Sequence, residues 1–216
     1  MIQKMFEGAY LRQLDNIVQW SEMDVFQRES VSQHSFKVAV FTDVLIQDIF
    51  GHIKSEDARY ETVQRFKLNC VEYALFHDFD EALIRRDISH VTKYNRFNGQ
   101  EIRRNLNDLA DYLAKNEILS DATSGAFFYD TILHPGIYEK RFVKLCDWLA
   151  MAFFIRREQR MGNGNMKMED TTVYNGVRSA IEEVKKMLES NECFKNLEPN
   201  FAPLETIMKM IYEQRN

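Results

Sequence analysis

Residues 71–87 read VEYALFHDFDEALIRRD, an apolar run followed by a dense group of possible metal ligands. The apolar run predicts the end of a buried helix, and His77 and Asp78 stand directly after it. Imidazole nitrogens and carboxylate oxygens are ligands of Zn, Mn, Fe and Co, and such a metal can turn water into a nucleophile. Taken alone, the pair is better interpreted as a core histidine and a helix-ending aspartate. The rest of the chain decides between these two interpretations.

The composition favours one domain built from helices. The 216 residues are 45% hydrophobic and include 16 Phe, which is enough for a sizeable core. Only 3 Pro and 8 Gly occur, which disfavours a turn-rich β-sandwich and favours long helices. The formal charge of -5 argues against a general nucleic-acid binder, because a phosphate backbone requires a basic surface. We predict a single all-α domain over residues 1–216 and no nucleic-acid polymer as partner.

The number of cysteines and the lengths of the apolar runs indicate the cellular compartment of the protein. The three cysteines, Cys70, Cys146 and Cys193, are odd in number and widely scattered, so a disulfide framework is not expected and a reducing cytoplasm fits. The first residues lack the apolar core and the small-residue cleavage site of a signal peptide, so we expect no signal peptide. No run of about 18 apolar residues occurs, so we expect no membrane helix.

Apolar residues recur every three or four positions over most of the chain, which predicts helices. The predicted helices cover residues 3–20, 32–49, 55–76, 100–115, 138–157, 169–190 and 198–214, with irregular structure over 120–136. Ser32 is the expected N-cap of the second helix. The helix over 138–157 is apolar on most sides and contains Asp147. A buried carboxylate is costly, so Asp147 must meet a cation, a metal or strong donors.

Four residues now form an ordered pattern: His34 at the start of one apolar helix, His77 and Asp78 after another, and Asp147 inside a third. This H…HD…D order resembles the HD superfamily of metal-dependent phosphohydrolases. The resemblance implies that these four side chains bind a divalent transition metal, Co, Mn, Zn or Fe, with Mg possible as a second ion. It also implies the helical fold of that superfamily.

Five further motifs narrow the resemblance. IVQW, ESVSQHS, HDFDE, a D-I-x-x-x-x-KY pattern and KLCDWLA are similar to the YfbR-like branch, the 5'-deoxynucleotidases, which includes phage dATP triphosphohydrolases of the DatZ type. The resemblance implies that Glu81 is the catalytic carboxylate that handles the attacking water, and that Asp87 lies near the phosphate and the sugar hydroxyl. It places Trp20 at the deoxyribose pocket and Lys93 near the phosphates. Without it, Trp20 would be interpreted as a core or rim aromatic and Lys93 as unremarkable.

The chain departs from the branch at three places. Gln19, a candidate substrate-binding residue, stands where an arginine is usual and lacks that arginine's phosphate contact. Gln33 stands where a glutamate is usual. The small Thr-Gly pair before the second acid is replaced by a longer segment with Arg85 and Arg86. These two arginines either take over the phosphate charge or form a solvated face.

The expected function is hydrolysis of 2'-deoxynucleotides in the cytoplasm. The added arginines favour a triphosphohydrolase that releases deoxynucleoside and tripolyphosphate, for example from dATP. The first alternative is a monophosphatase that releases deoxynucleoside and phosphate, and the second is a nucleotide-binding HD protein without turnover. The resemblance also implies a homo-oligomer, a dimer or higher, with no membrane partner.

Overall fold

The protein is described by a computed structural model over residues 10–21, 23–84 and 135–213, together with helical residues 101, 104–105, 108–109 and 112. Its elements are α1 (Tyr10–Asn16), β1 (Val18–Gln19), β2 (Glu29–Ser30), α2 (Val31–Phe50), α3 (Tyr60–Phe76), α4 (Phe79–Ile84), α5 (Ile137–Arg160), a 3₁₀ turn (Gly164–Met166), α6 (Lys167–Ser190), α7 (Glu192–Lys195) and α8 (Ala202–Glu213). Apart from the two short strands, the regular structure of the described residues is helical, which confirms the all-α prediction. None of the described helices is long and apolar enough to cross a membrane.

The chain divides into two compact units. The first unit comprises Met1–Phe36 and Leu75–Pro135, and the second comprises Lys37–Ala74 and Gly136–Asn216. The prediction of one domain over residues 1–216 stays a prediction.

In the first unit, α1 packs against α4 and lies beside β2. Leu14 and Ile17 are buried, as are Phe79 and Ala82 of α4. The predicted helix over residues 3–20 ends earlier than expected, at Asn16, because residues 18 and 19 pair with β2 instead. An antiparallel strand pair satisfies the backbone groups that a longer helix would otherwise have used.

A capping box fixes the start of α2. The Ser30 hydroxyl accepts the backbone N–H of Gln33 at 3.3 Å, and the Gln33 side chain accepts the backbone N–H of Ser30 at 3.1 Å. This reciprocal pair satisfies two amide groups that have no partner inside the helix. The N-cap is therefore Ser30, and the prediction of Ser32 was wrong by two residues. Gln33 stands where the resemblance has a glutamate, and its side-chain oxygen can likewise accept a hydrogen bond at this position.

In the second unit, α5 packs along α6. Gly176 of α6 makes this contact possible, because a Cβ there would lie 2.5 Å from the Trp148 ring. The prediction that α5 is apolar on most sides is confirmed by its buried residues, among them Phe142, Leu145 and Phe154. Burial raises the pKa of the Cys146 thiol to about 12, so this cysteine packs as a neutral group.

The third predicted helix begins later than expected, at Tyr60 rather than at residue 55. The Asp57 carboxylate accepts the backbone N–H of Arg59 at 2.8 Å and the Arg59 guanidinium at 2.7 Å. A side chain that binds the backbone two residues on stabilises a turn in competition with a helix. The last helix likewise begins at Ala202 instead of 198, after Asn200 has accepted the Ala202 N–H.

Candidate metal centre

His77 and Asp78 lie in the short turn between two helices. Helix α3 ends at Phe76 and α4 begins at Phe79, so one continuous helix does not pass through the HD pair. His77 Nε2 lies 3.2 Å from Asp78 Oδ2, and both side chains are largely buried. The turn therefore places an imidazole and a carboxylate side by side.

His34 brings the second imidazole to the same place. It follows the capping box in the first turn of α2 and is 2% exposed. Its ring centroid lies 5.5 Å from that of His77, with the two rings tilted by 45°. The N-cap that sets the helix start also sets the position of this histidine.

His34, His77 and Asp78 each offer a ligand atom, and these atoms all lie within 4.8 Å of one another. Ligand atoms bound at about 2.0–2.2 Å from one metal lie at most about 4.4 Å apart. The three side chains therefore need to move only slightly to bind one metal ion. Two nitrogens and one oxygen suit a divalent transition metal better than Ca or Mg. The donor set fits the metal that the sequence predicts.

Two polar side chains contact this cluster from the strand pair. The Gln19 amide Nε2 donates to Asp78 Oδ2 at 3.3 Å. Glu29 Oε1 lies 3.6 Å from His34 Nδ1, and both side chains are only 2% exposed. Gln19 is predicted from the sequence as a substrate-binding residue, whereas here it contacts a candidate metal ligand. Glu29 is not predicted from the sequence, and its only signal there is an acidic residue in the ESVSQHS motif.

Glu81 lies in the first turn of α4 and is 1% exposed. Its backbone N–H donates to the Asp78 carbonyl and to the Asp80 carboxylate, each at 3.0 Å. These bonds fix the backbone that links Glu81 to the HD turn. The predicted catalytic carboxylate is therefore a buried residue of the same unit as the metal cluster.

Trp20 follows β1 in an unusual backbone conformation. Its φ is 60°, a region that bulky side chains rarely occupy. Its carbonyl accepts the backbone N–H of Met23 at 2.9 Å, which closes the turn. Such conformations cost roughly 1–3 kcal/mol and cluster at functional sites. The strain supports the hypothesis that the indole serves substrate binding.

Asp147 lies in the second unit, in the middle of α5. It is 8% exposed, and its Oδ2 lies 2.6 Å from Lys144 Nζ. The ammonium also lies 4.9 Å from the centroid of the Trp148 ring. The sequence predicts a cation, a metal or strong donors beside this carboxylate, and the Lys144 ammonium is such a cation. Its role as a fourth metal ligand stays a prediction.

Four predicted site residues lie outside the described residues: Arg85, Arg86, Asp87 and Lys93. Their roles in phosphate and sugar binding stay predictions.

A sequence profile described as 5'-deoxynucleotidase YfbR-like matches residues 7–201. The chain belongs to the YfbR-like 5'-deoxynucleotidase family. The match confirms the resemblance drawn from the motifs, and it identifies the chain as a hydrolase. No curated protein matches the chain in a sequence search.

The crystal structure of an HD-domain phosphohydrolase from Listeria innocua resembles this YfbR-like chain. The TM-score is 0.60 at 17% sequence identity, over 97% of this chain and 98% of that chain. At this identity the likeness concerns the fold alone, and it confirms the HD-type helical fold.

Proposed function

We propose that the protein is a metal-dependent 5'-deoxynucleotidase that hydrolyses 2'-deoxynucleoside monophosphates to deoxynucleoside and phosphate. The observation that carries this proposal is the cluster of His34, His77 and Asp78, whose ligand atoms lie within 4.8 Å of one another. The family match over residues 7–201 supports the substrate class. The three free cysteines suit a reducing compartment such as the cytoplasm.

His34, His77 and Asp78 would hold a divalent transition metal, and Asp147 is the proposed fourth ligand. Co, Mn, Zn and Fe are the candidates for this nitrogen and oxygen donor set, with Mg as a possible second ion. When bound, such an ion supplies positive charge that acidifies a water ligand and neutralises phosphate oxygens.

The protein's own side chains supply the proton transfer and the substrate contacts. Glu81 would take the proton of the attacking water, because it is a buried carboxylate whose backbone is tied to the HD turn. Asp87 would lie near the phosphate and the sugar hydroxyl, and Lys93 would neutralise phosphate charge. Trp20 would pack under the deoxyribose.

A triphosphohydrolase is the alternative, and the observation that favours it is the Arg85-Arg86 pair between Glu81 and Asp87. A triphosphate tail carries more negative charge than a monophosphate and needs more cations nearby. The monophosphatase is the better reading because it matches the activity that gives the family its description.

The test is a substrate panel assayed with Mn or Co: dNMPs, dNDPs, dNTPs and the matching ribonucleotides, with products resolved by chromatography. We expect inorganic phosphate and deoxynucleoside from dNMPs. Tripolyphosphate from dNTPs, with dNMPs left intact, would favour the alternative. Tight nucleotide binding without any product would instead indicate a binding protein.

Trp20 should set the preference for deoxy over ribo substrates, because an indole under C2' leaves no room for a hydroxyl. We expect Trp20→Ala to narrow the ratio of kcat/KM for dAMP over AMP. Trp20→Gly should narrow it as well while removing the strain at φ 60°, since glycine adopts this conformation freely. A variant with the same ratio as the wild type would remove Trp20 from the sugar pocket.

A homo-oligomer is also proposed, and an apolar patch in the second unit supports it. Val40 and Val44 of α2 and Phe153 of α5 are about half exposed. Phe41 joins them, because its ring centroid lies 6.3 Å from that of Phe153. Exposed apolar patches of this kind mark protein interfaces.

Val44→Glu should therefore reduce the oligomer to monomers, since a charge in an apolar contact is costly. Light scattering coupled to size exclusion measures the mass directly. Met210→Glu changes another exposed apolar residue, on α8, and should leave the mass unchanged. A wild type that is already monomeric, or a Val44→Glu variant that keeps its oligomeric mass, would contradict this interface.

A further inference from the structure

The two-stranded ribbon formed by β1 and β2 contacts two candidate metal ligands, Asp78 and His34. Gln19 and Glu29 are direct partners across this antiparallel pair. Residues directly opposite each other in such a pair carry their side chains on the same face. Gln19 and Glu29 therefore project together, and Val18 and Ser30 project from the other face.

The shared face makes one contact to each of two ligands. Gln19 donates to Asp78 at 3.3 Å, and Glu29 lies 3.6 Å from His34. We infer that the Gln19–Glu29 pair of the ribbon is a positioning device, which orients Asp78 and His34 for metal binding. This inference rests on the metal site of the proposed function.

Glu29 acts on His34 through charge. Its carboxylate faces Nδ1 at a separation longer than a hydrogen bond, so the contact is electrostatic. A negative charge on that side favours the tautomer with the proton on Nδ1. The lone pair then remains on Nε2, where a metal can use it. Acidic partners of this kind commonly orient histidine ligands.

Gln19 acts on Asp78 through a hydrogen bond. Asp78 Oδ2 accepts the Gln19 amide and lies 3.2 Å from His77 Nε2. The amide fixes the carboxylate rotamer without adding charge.

The experiment measures metal affinity, not turnover. The metal-free protein is titrated with Co²⁺ by calorimetry, and the visible absorption of Co²⁺ reports the ligand geometry. Gln19→Met keeps the side-chain size and removes the donor, and Glu29→Gln keeps the size and removes the charge. We expect each to weaken Co²⁺ binding by about 10- to 100-fold, the usual effect of removing a partner of a metal ligand.

Two controls separate positioning from simple folding. Val18→Ala alters the opposite face of the same ribbon, and Glu56→Gln makes the same chemical change at an exposed glutamate. Both should bind Co²⁺ as the wild type does. All titrations are run well below the melting temperature of each metal-free variant, so that unfolding does not lower the affinity.

The possible outcomes are distinguishable. Weaker binding in both ribbon variants, with altered Co²⁺ spectra and normal controls, supports the inference. Wild-type affinity in Gln19→Met and Glu29→Gln overturns it while the metal site of the proposed function stands. An equal loss in Val18→Ala also overturns it, because the effect then belongs to ribbon folding. A wild type that binds no Co²⁺ overturns both.

Discussion

His77→Ala is expected to lose bound metal and with it nearly all phosphohydrolase activity. The substitution removes one of two imidazoles from a cluster in which three residues offer ligand atoms within 4.8 Å of one another. Changes to partners of a ligand cost about 10- to 100-fold, so loss of a ligand itself should exceed about 100-fold. Asp78→Asn should behave similarly, because it removes the negative charge of the oxygen ligand.

Metal binding can be followed without turnover through the stability of the folded protein. A metal at 100 times its Kd adds about 2.7 kcal/mol to the unfolding free energy. For a chain of this size that raises Tm by about 5–11 °C, at about 2–4 °C per kcal/mol. We expect this rise in the wild type and its absence in His77→Ala.

The matched control is His52→Ala, in the second unit. His52 Nε2 contacts the Leu197 carbonyl at 3.1 Å and lies outside the cluster. Its loss removes one hydrogen bond, worth about 0.5–1.5 kcal/mol, and should leave the metal-dependent rise in Tm intact. Full turnover by metal-free His77→Ala would disprove the metal-dependent mechanism.

The sequence predicted the candidate metal site through residue types, their order along the chain and the resemblance to the HD superfamily. An apolar run that ends in His-Asp, and a histidine at the start of another helix, need no tertiary detail to be recognised. The structure brings three of the four predicted ligands together, His34, His77 and Asp78, and the role of Asp147 stays a prediction. The long apolar α5 was also predictable, because residues 138–157 contain no Gly or Pro and form an apolar segment too long for a typical strand.

The ribbon could not be predicted from sequence. Its strands are two residues each, too short for an alternating apolar pattern to stand out. Gln19 and Glu29 carry no marker of their role, since their contacts depend on a pairing distant in sequence. The prediction of Ser32 as the N-cap of α2 failed for a related reason, because serine is a good N-cap residue at either position 30 or position 32. Only the reciprocal bond with Gln33 distinguishes them.

The break between α3 and α4 changes how the backbone of Glu81 is connected to the candidate metal site. A continuous helix would have placed Glu81 on one face with His77 or Asp78. Instead α4 starts anew at Phe79, and the Glu81 N–H bonds back to the Asp78 carbonyl. This hydrogen bond joins the backbone of the proposed base to that of the candidate ligand Asp78. Mutation of Glu81 should consequently change the rate and leave metal binding intact.

Glu81→Gln is expected to lower kcat by about 10²–10⁴-fold, the usual contribution of a general base. This corresponds to about 2.7–5.4 kcal/mol of transition-state stabilisation at about 1.36 kcal/mol per tenfold. Glutamine has nearly the same shape but cannot accept the proton. Phosphate release gives the rate, and Co²⁺ titration shows whether the metal site is retained.

Two comparisons make the Glu81 result specific. Glu56→Gln is the same change at an exposed glutamate and should keep the wild-type rate. Glu81→Ala leaves a space at a residue that is 1% exposed, so added formate should restore part of the rate there and none in Glu81→Gln, where the amide fills the space. Formate supplies the missing carboxylate, which a purely structural role would not require. A rate within tenfold of the wild type in Glu81→Gln, at unchanged Co²⁺ affinity, would remove Glu81 from the mechanism and leave proton transfer to another group.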